Sequence, residues 1–149
     1  MTVVINEISF EDIRDIWSNN LWPGRELIEP VSAMLYLSGY SMEHFKLPVK
    51  YRGLFENGIL VGVNSGHVCS DNSFRSRGLW VDPTCRGRGY GIQLLKQTIE
   101  DGRALGCAFC WSLPRKTSWS TYEKAGFRLT SDWLSTDTSS ANAYCRLDY

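Results

Sequence analysis

The part of the chain with the clearest chemical character is a glycine-rich stretch with two arginines, Arg86-Gly87-Arg88-Gly89-Tyr90-Gly91. Alternating glycines let the backbone adopt turns that a side chain forbids, and they bring N–H groups close to a ligand. Apolar spacing predicts a helix directly after this stretch, so the positive end of the helix dipole lies behind those N–H groups. Backbone donors, a helix N-terminus and two guanidinium groups together predict a cradle for phosphate oxygens.

Other phosphate-binding motifs fit this stretch less well. A P-loop ends in Gly-Lys-Ser/Thr, whereas the chain continues as Gly91-Ile92-Gln93. The dinucleotide fingerprint G-x-G-x-x-G requires a spacing that Gly87, Gly89 and Gly91 do not have. An ordinary tight turn is the remaining alternative, but a turn needs neither three glycines nor two arginines.

The segments before this loop are predicted to form one strand, two helices and a three-stranded meander. A β-rich opening over 2–8 leads into a helix that ends near residue 20, and a second helix is expected from Pro30 to Gly39. From Lys50 onwards the pattern indicates strands, with turns at 57–58 and 71–73, and the third strand reaches residue 81.

The segments after the loop are predicted to alternate between helices and strands. A long helix closes at Gly106, a strand follows over 107–113, and another helix runs from about residue 117 to Gly126. Two last strands are expected near 128–133 and 143–148, separated by a polar turn. Together, these predicted elements indicate a mixed α+β fold in which helices cover the faces of a sheet.

Length and charge restrict the class of protein further. The chain has 149 residues, which fits a single domain over 1–149, and its 16 basic and 16 acidic residues cancel to a net charge of zero. That balance argues against nucleic-acid and membrane partners. The N-terminus lacks the basic head and apolar middle of a secretory signal, and the odd count of five cysteines is a poor disulfide framework. We therefore expect a cytoplasmic protein with reduced thiols.

Two blocks of the sequence resemble the signature blocks of one enzyme family. The first covers 79–91, where Arg86, Gly89 and Gly91 match an Arg/Gln-x-x-Gly-x-Gly/Ala pyrophosphate loop, and the second is the Tyr-Glu-Lys-Ala-Gly-Phe segment at 122–127. Both resemble the GNAT superfamily of acyl-CoA N-acyltransferases. The resemblance implies a central, mostly antiparallel mixed sheet of six to seven strands, flanked by about four helices.

The resemblance also implies a binding mode for acetyl-CoA as co-substrate, without a metal. The loop would bind the pyrophosphate of coenzyme A, and a bulge in the preceding strand would free an N–H near Val81 to hydrogen-bond the thioester carbonyl. Ser118 has an alternative role as a helix N-cap. The implied cofactor-binding residues are Leu79, Trp80, Val81, Arg86, Gly87, Arg88, Gly89, Tyr90, Gly91, Ser118 and Lys124.

Two residues are candidates for proton transfer. Tyr122 occupies the position from which family members protonate the leaving CoA thiolate, although a packed aromatic beside Trp119 is the alternative. Many relatives carry a carboxylate on the strand before the loop, but 73–80 contains none. His67 is the candidate base because an imidazole titrates near neutral pH; a structural histidine and a chain of water molecules are the alternatives.

The acceptor is the least determined part of the prediction. In this family, the first two helices, their connection and the last strands tend to line its pocket. Arg75 and Arg77 share one strand face, for which a solvated surface is the favoured interpretation and attraction of an acidic acceptor the alternative. Candidate recognition residues in the lining segments are Trp22, Arg25, Glu26 and Trp133.

The resemblance thus implies an N-acetyltransferase in which an amine attacks the thioester directly in a ternary complex. An amine-bearing small molecule or a peptide is the expected acceptor, and a homodimer stays open. A non-catalytic CoA-binding or interaction module with the same fold is the alternative. A nucleotide-binding regulator is a third interpretation of the loop.

Overall fold

A seven-stranded sheet organises the chain. The computed structural model describes residues 2–136 and 139–149. The sheet order is β1-β2-β3-β4-β5-β9-β6, and β7 and β8 form a separate two-stranded sheet. Within the large sheet, β4 and β5 run parallel and the other neighbours antiparallel, which confirms the predicted mixed sheet. The strands are β1 Val3–Glu7, β2 Val49–Glu56, β3 Ile59–Val68, β4 Ser73–Val81, β5 Phe109–Ser112, β6 Arg128–Leu129, β7 Leu134–Thr136, β8 Ser139–Asn142 and β9 Cys145–Asp148.

Helices in the described residues follow three of the four sequence predictions. They are α1 Phe10–Asn20, α2 Tyr90–Ala104 and α3 Trp119–Ala125, with 3₁₀ turns at Met42–Lys46, Pro83–Cys85 and Lys116–Ser118. The Ser9 hydroxyl caps α1 by accepting a hydrogen bond from the Asp12 N–H at 3.1 Å. In the described part of the chain, no helix is long and apolar enough to cross a membrane.

The helix predicted from Pro30 to Gly39 is wrong. The segment is irregular, and its backbone folds back through a bridge between Met34 and Tyr40. Leu37 and Gly39 have φ values of 69° and 97°, which a helix does not allow. The Tyr36 ring packs against aromatic rings of β5 instead, so tertiary contacts override the local helical spacing.

The C-terminal strands are shorter than predicted. The first is reduced to β6 and the last to β9. Residues 137 and 138 of the predicted polar turn lie outside the described residues, while the segments beside them form β7 and β8. All five cysteines are buried and free.

The two faces of the sheet carry different layers. Gly62 and Gly66 of β3 face α2, because a Cβ added at either would contact α2 side chains, whereas Val63 between them packs in the cluster of α1. One layer therefore contains α2 and α3, and the other contains α1 and the long 21–48 connection. Trp17 of α1 is fully buried in that second layer.

A β-bulge interrupts β4. Val63 pairs with Trp80 and Ser65 pairs with Arg77, so β4 contains one more residue than β3 between these pairs. Gly78 lies in the bulge with a φ of 77°, and its carbonyl accepts a hydrogen bond from the Trp17 indole N–H at 2.8 Å. A side chain at this position would combine an unfavourable φ with overlap onto the indole ring.

A fork opens between β4 and β5. Their parallel pairing ends at Arg75 opposite Trp111, and β4 then continues to Val81 while β5 ends at Ser112. The Ser112 hydroxyl donates to the Ser76 carbonyl at 2.8 Å, just beyond the last paired residues. The remainder of β4 has a strand partner on one side, β3, among the described residues.

Replacement of Gly78 by alanine tests the bulge. A Cβ here would lie 2.3 Å from Trp17 ring atoms. We expect Gly78→Ala to lower the free energy of unfolding by about 3 kcal/mol, because overpacking adds to the cost of the positive φ. Gly58→Ala is the matched control, since Gly58 has a φ of 83° but open space around it, and it should cost about 1 kcal/mol. Equal losses in urea titrations of the two variants would contradict this account of Gly78.

Candidate active site

The glycine-rich loop joins the end of β4 to the start of α2. The Asp82 carboxylate accepts hydrogen bonds from the Thr84 N–H at 2.9 Å and hydroxyl at 2.7 Å, which fixes the 3₁₀ turn that opens the loop. Gly87 and Gly89 have φ values of 82° and 80°, and a Cβ at either would meet no atom within 4 Å. The loop backbone at these glycines is therefore open to approach by a ligand.

The two arginines of the loop differ in their partners. Arg86 is exposed, and its Nε donates to the Val81 carbonyl at 2.9 Å, so its charge lies at the end of β4. Arg88 Nη1 donates to Glu56 Oε2 at 2.7 Å. The Tyr90 hydroxyl donates to the same oxygen, and these two hydrogen bonds hold the pKa of the Glu56 carboxyl below its usual range.

The sequence indicates only a solvated carboxylate beside a turn for Glu56, whereas the structure pairs this side chain with the loop. It ends β2 beside the turn at Asn57 and Gly58, far from the loop in sequence, and no local pattern links it to Arg88. The Tyr90 ring is buried in the core, with its hydroxyl directed to Glu56. The side chain of Tyr90 thus supports the loop, and its contact with a cofactor stays a prediction.

The backbone at the end of β4 presents a donor to the fork. The Asp82 N–H donates to the Val61 carbonyl of β3 at 2.7 Å. Because N–H groups alternate in direction along an antiparallel strand, the Val81 N–H points away from β3, towards the fork. Gly91 lies close by, since a Cβ there would be 3.1 Å from Thr121 of α3 and 3.8 Å from Leu79. The loop, β4 and α3 therefore meet at one point.

Tyr122 of α3 is buried in the layer beneath the fork. Its side chain is 5% exposed and packs edge-on against Phe127. Burial raises the pKa of the Tyr122 phenol well above its ordinary value, and a polar contact with Ser112 opposes this shift only in part. The phenol keeps its proton at neutral pH and is a hydrogen-bond donor beside the fork.

Ser118 and Lys124 are exposed at the two ends of α3. Ser118 occupies the N-cap position of α3, as the alternative held, but its side chain forms no capping hydrogen bond with the α3 N–H groups that the structure describes. Its backbone N–H donates to the Arg115 carbonyl at 2.9 Å, in the 3₁₀ turn before α3. Contact of either side chain with a cofactor stays a prediction.

Arg75 and Arg77 lie on the opposite face of β4 and are buried, at 9% and 7% exposure. The favoured expectation of a solvated face is wrong, because the 21–48 connection covers it. The Arg77 guanidinium lies over the rings of Trp17 and Trp22, and Nη1 donates to the Glu29 carbonyl at 2.9 Å. Burial, with repulsion from Arg75, lowers the pKa of Arg77 to about 10.

His67 lies beside these arginines, directly across from Arg75 in the β3–β4 pairing. It is fully buried, and neither ring nitrogen has a hydrogen-bond partner among the described residues. Burial, followed by the charges of Arg75 and Arg77, lowers the pKa of His67 well below its ordinary value. The imidazole is therefore neutral and a weaker base than the sequence suggested; its catalytic role stays a prediction.

A group of three buried side chains has the donor types of a zinc site. The ligand atoms of His44, His67 and Cys69 lie within 4.8 Å of one another. However, burial raises the pKa of the Cys69 thiol to about 11, and the positive charges of Arg75 and Arg77 oppose a dication beside them. The charge in this region favours an anion over a metal ion.

A cavity of about 300 Å³, widely open to solvent, lies between β4 and the 21–48 connection. A second cavity of about 400 Å³ adjoins it along α1 and includes Arg25 and Glu26. Trp133 is not part of either lining and packs against Trp119 and Lys116. The lining of the 300 Å³ cavity includes Arg25, Glu29, Val31, Met42, Phe45 and Arg77.

Comparison with known proteins yields one family match. The model of the acetyltransferase (GNAT) family matches residues 14–127. That range includes the glycine-rich loop, β4, the fork and α3. No curated protein sequence matches the chain.

Solved structures similar to this chain cover almost its whole length. An IAA acetyltransferase from Bacillus cereus is 14% identical with a TM-score of 0.72, covering 99% of this chain and 100% of that one. A PaiA N-acetyltransferase from Thermoplasma acidophilum, in complex with coenzyme A, is 17% identical with a TM-score of 0.67 and full coverage of both chains. A ribosomal-protein-S18-alanine N-acetyltransferase from Escherichia coli is 16% identical with a TM-score of 0.64, covering 99% and 94%. At these identities the similarity is one of fold.

The depressed pKa of His67 predicts an acid-sensitive fold. An unfolded histidine binds a proton near pH 6.5, whereas His67 in the folded chain does so only at lower pH. The free energy of unfolding should therefore fall as the pH drops below 6.5, by at most about 1.4 kcal/mol per pH unit from this residue. Urea titrations at pH 7 and pH 5 measure the loss, which His67→Gln should reduce.

NMR titration of the His67 imidazole checks its lowered pKa directly. The chain contains two histidines, so His44→Gln assigns the remaining signal to His67. That signal should not shift between pH 8 and pH 6. A midpoint near 6.5 would contradict the buried, neutral state described above.

Proposed function

The chain belongs to the GNAT acetyltransferase family, as its sequence predicted, and on that premise we propose that it transfers an acetyl group from acetyl-CoA to an amine. The observation that carries the proposal is the fork between β4 and β5, with the Val81 N–H turned away from β3 and the glycine-rich loop at the same end. An extended ligand arm can occupy the open edge of β4 while its phosphates reach the loop.

The loop residues are proposed to bind the pyrophosphate of CoA. Gly87 and Gly89 leave the backbone accessible, and α2 begins directly behind them with its positive dipole end. Arg86 adds a full positive charge at the end of β4. Arg88 shares its charge with Glu56, so it contributes less to an arriving anion than its type suggests.

The residues around the fork are proposed to assist transfer by direct attack. A bound thioester supplies an activated acyl carbon; the C–N bond to the amine forms there as the C–S bond breaks. The Val81 N–H stabilises the negative charge that develops on the carbonyl oxygen, a contribution of about 3 kcal/mol in other enzymes. Tyr122 donates its proton to the departing sulfur and recovers one from the amine nitrogen through solvent.

The positively charged face of β4 favours a reactive amine. The charges of Arg75 and Arg77 repel an ammonium group at the nearby β4 edge, which lowers the pKa of that amine and increases its neutral fraction. This effect reduces the need for the carboxylate base that β4 lacks. His67 is close to the same face, but its low pKa makes it a weak proton acceptor.

A non-catalytic CoA-binding module is the second candidate. The absence of an acidic residue from β4 and the burial of Tyr122 favour it. This alternative requires CoA binding without turnover for any amine. We also propose a cytoplasmic location, since five free cysteines suit a reducing compartment.

Calorimetry and a thiol-release assay test the proposed function together. CoA should bind in preference to ATP and NAD, and acetyl-CoA should release free thiol when a panel of amines is added. CoA binding without thiol release for any acceptor would support the non-catalytic module instead. Stronger binding of ATP or NAD would exclude both candidates.

Tyr122→Phe tests the proton donor. Because positioned proton transfer contributes roughly 100-fold or more, kcat should fall about 100-fold while the CoA dissociation constant stays within about twofold. Tyr149→Phe is the matched control: its hydroxyl donates to the Ile99 carbonyl outside the fork, so this change should leave kcat unaltered. An unchanged rate in Tyr122→Phe would remove Tyr122 from the mechanism.

A further inference from the structure

Two buried arginines without acidic partners form the most unusual feature outside the cofactor site. Arg75 and Arg77 each lie more than nine-tenths buried on the same face of β4. Neither forms an ion pair with a carboxylate among the described residues. Burial of an unpaired charge is costly, so folded proteins normally supply a counter-charge.

The hydrogen bonding of the pair is also incomplete. Arg77 has one carbonyl acceptor, Glu29, and two indole faces. Arg75 lies over the Trp111 ring, and its Nε and Nη1 have no hydrogen-bond partner among the described residues. Aromatic faces offset part of the charge but accept no conventional hydrogen bond. Two donors of Arg75 are therefore unsatisfied inside the fold, and the guanidinium of Arg77 on the same face has no carboxylate partner among the described residues.

The cavity beside Arg77 is of the size of a small metabolite. Its volume is about 300 Å³, at the lower end of the range for ligand sites. Val31, Met42 and Phe45 supply apolar walls, while Arg25 and Arg77 outnumber Glu29. The cavity is therefore partly apolar, positively charged and adjacent to the strand that borders the fork.

We propose, on the basis of the acetyltransferase function above, that the acceptor is an amino-acid-sized amine that carries a carboxylate, and that Arg77 binds this carboxylate. Arg75, two residues along the same face, supplies the second positive charge. A planar guanidinium matches a carboxylate through two parallel hydrogen bonds, which fixes the orientation of the acceptor. The amine end then lies towards the β4 edge at the fork.

Matched pairs of amines test the carboxylate without any mutation. L-alanine is compared with L-alaninamide, and γ-aminobutyrate with butylamine, in the thiol-release assay with acetyl-CoA. Rates are expressed per concentration of neutral amine, since the pairs differ in amine pKa. We expect kcat/KM to be at least tenfold higher for the carboxylate in at least one pair. Equal values in both pairs, with turnover present, would overturn the inference and leave the acetyltransferase function intact.

Variants of Arg77 test the assigned contact. Arg77→Gln should raise KM for the preferred carboxylate at least tenfold and leave KM for its uncharged partner within twofold, and Arg77→Lys should be intermediate. Arg128→Gln is the control, because this exposed arginine pairs with Asp148 away from the cavity. CoA affinity by calorimetry reports whether each variant is folded. A uniform loss for both amines would contradict a carboxylate contact.

Two further acceptors in the thiol-release assay distinguish a carboxylate from other recognised groups. Phosphoethanolamine tests a phosphate in place of the carboxylate, and an alanyl peptide blocked at its C-terminus tests a protein N-terminus. Preference for either would overturn the proposal. If CoA binds but no amine turns over, titration of γ-aminobutyrate and of butylamine into the CoA complex still decides: selective binding of γ-aminobutyrate supports the anion site, and binding of neither refutes it.

Discussion

The hydrogen bond from the Trp17 indole to the Gly78 carbonyl connects the elements on which the site depends. It holds α1 against the bulge, and the bulge sets the register of the rest of β4. That register turns the Val81 N–H towards the fork. The same indole lies over the Arg77 guanidinium, so one side chain positions both the backbone donor and the charged face. Packing on one side of the sheet thereby determines chemistry on its edge.

Local backbone requirements explain why part of this arrangement could be predicted from sequence. Glycines at 87, 89 and 126 stand in a turn-rich loop and at a helix end, where a positive φ is expected, and the structure has that conformation at each. The sequence predictions that the structure contradicts concern residues whose contacts come from segments distant in sequence. The 30–39 segment has helical spacing but packs its Tyr36 ring against β5. Arg75 and Arg77 are buried beneath the 21–48 connection, which contains this segment. Glu56 meets Arg88 only through the fold.

The charge distribution separates the two faces of the fork. Tyr122 lies in a largely apolar layer that keeps its phenol neutral, whereas Arg75 and Arg77 lie in the layer on the other face. In the proposed reaction, the donor thioester and the acceptor amine would therefore reach the β4 edge from different faces of the sheet. The net charge of zero hides this asymmetry, because neither arginine forms an ion pair with an acidic residue among the described residues.

The contact between Glu56 and Arg88 has a consequence for how the protein responds to ionic strength. In the proposed complex with a pyrophosphate, an arginine already neutralised by a carboxylate would add little net charge, so the electrostatic attraction that salt can screen would come mainly from Arg86. Association with the nucleotide end of the cofactor should accordingly depend only weakly on salt. The Glu56 carboxylate, at the tip of the β2–β3 hairpin, would then reduce the net positive charge beside the loop.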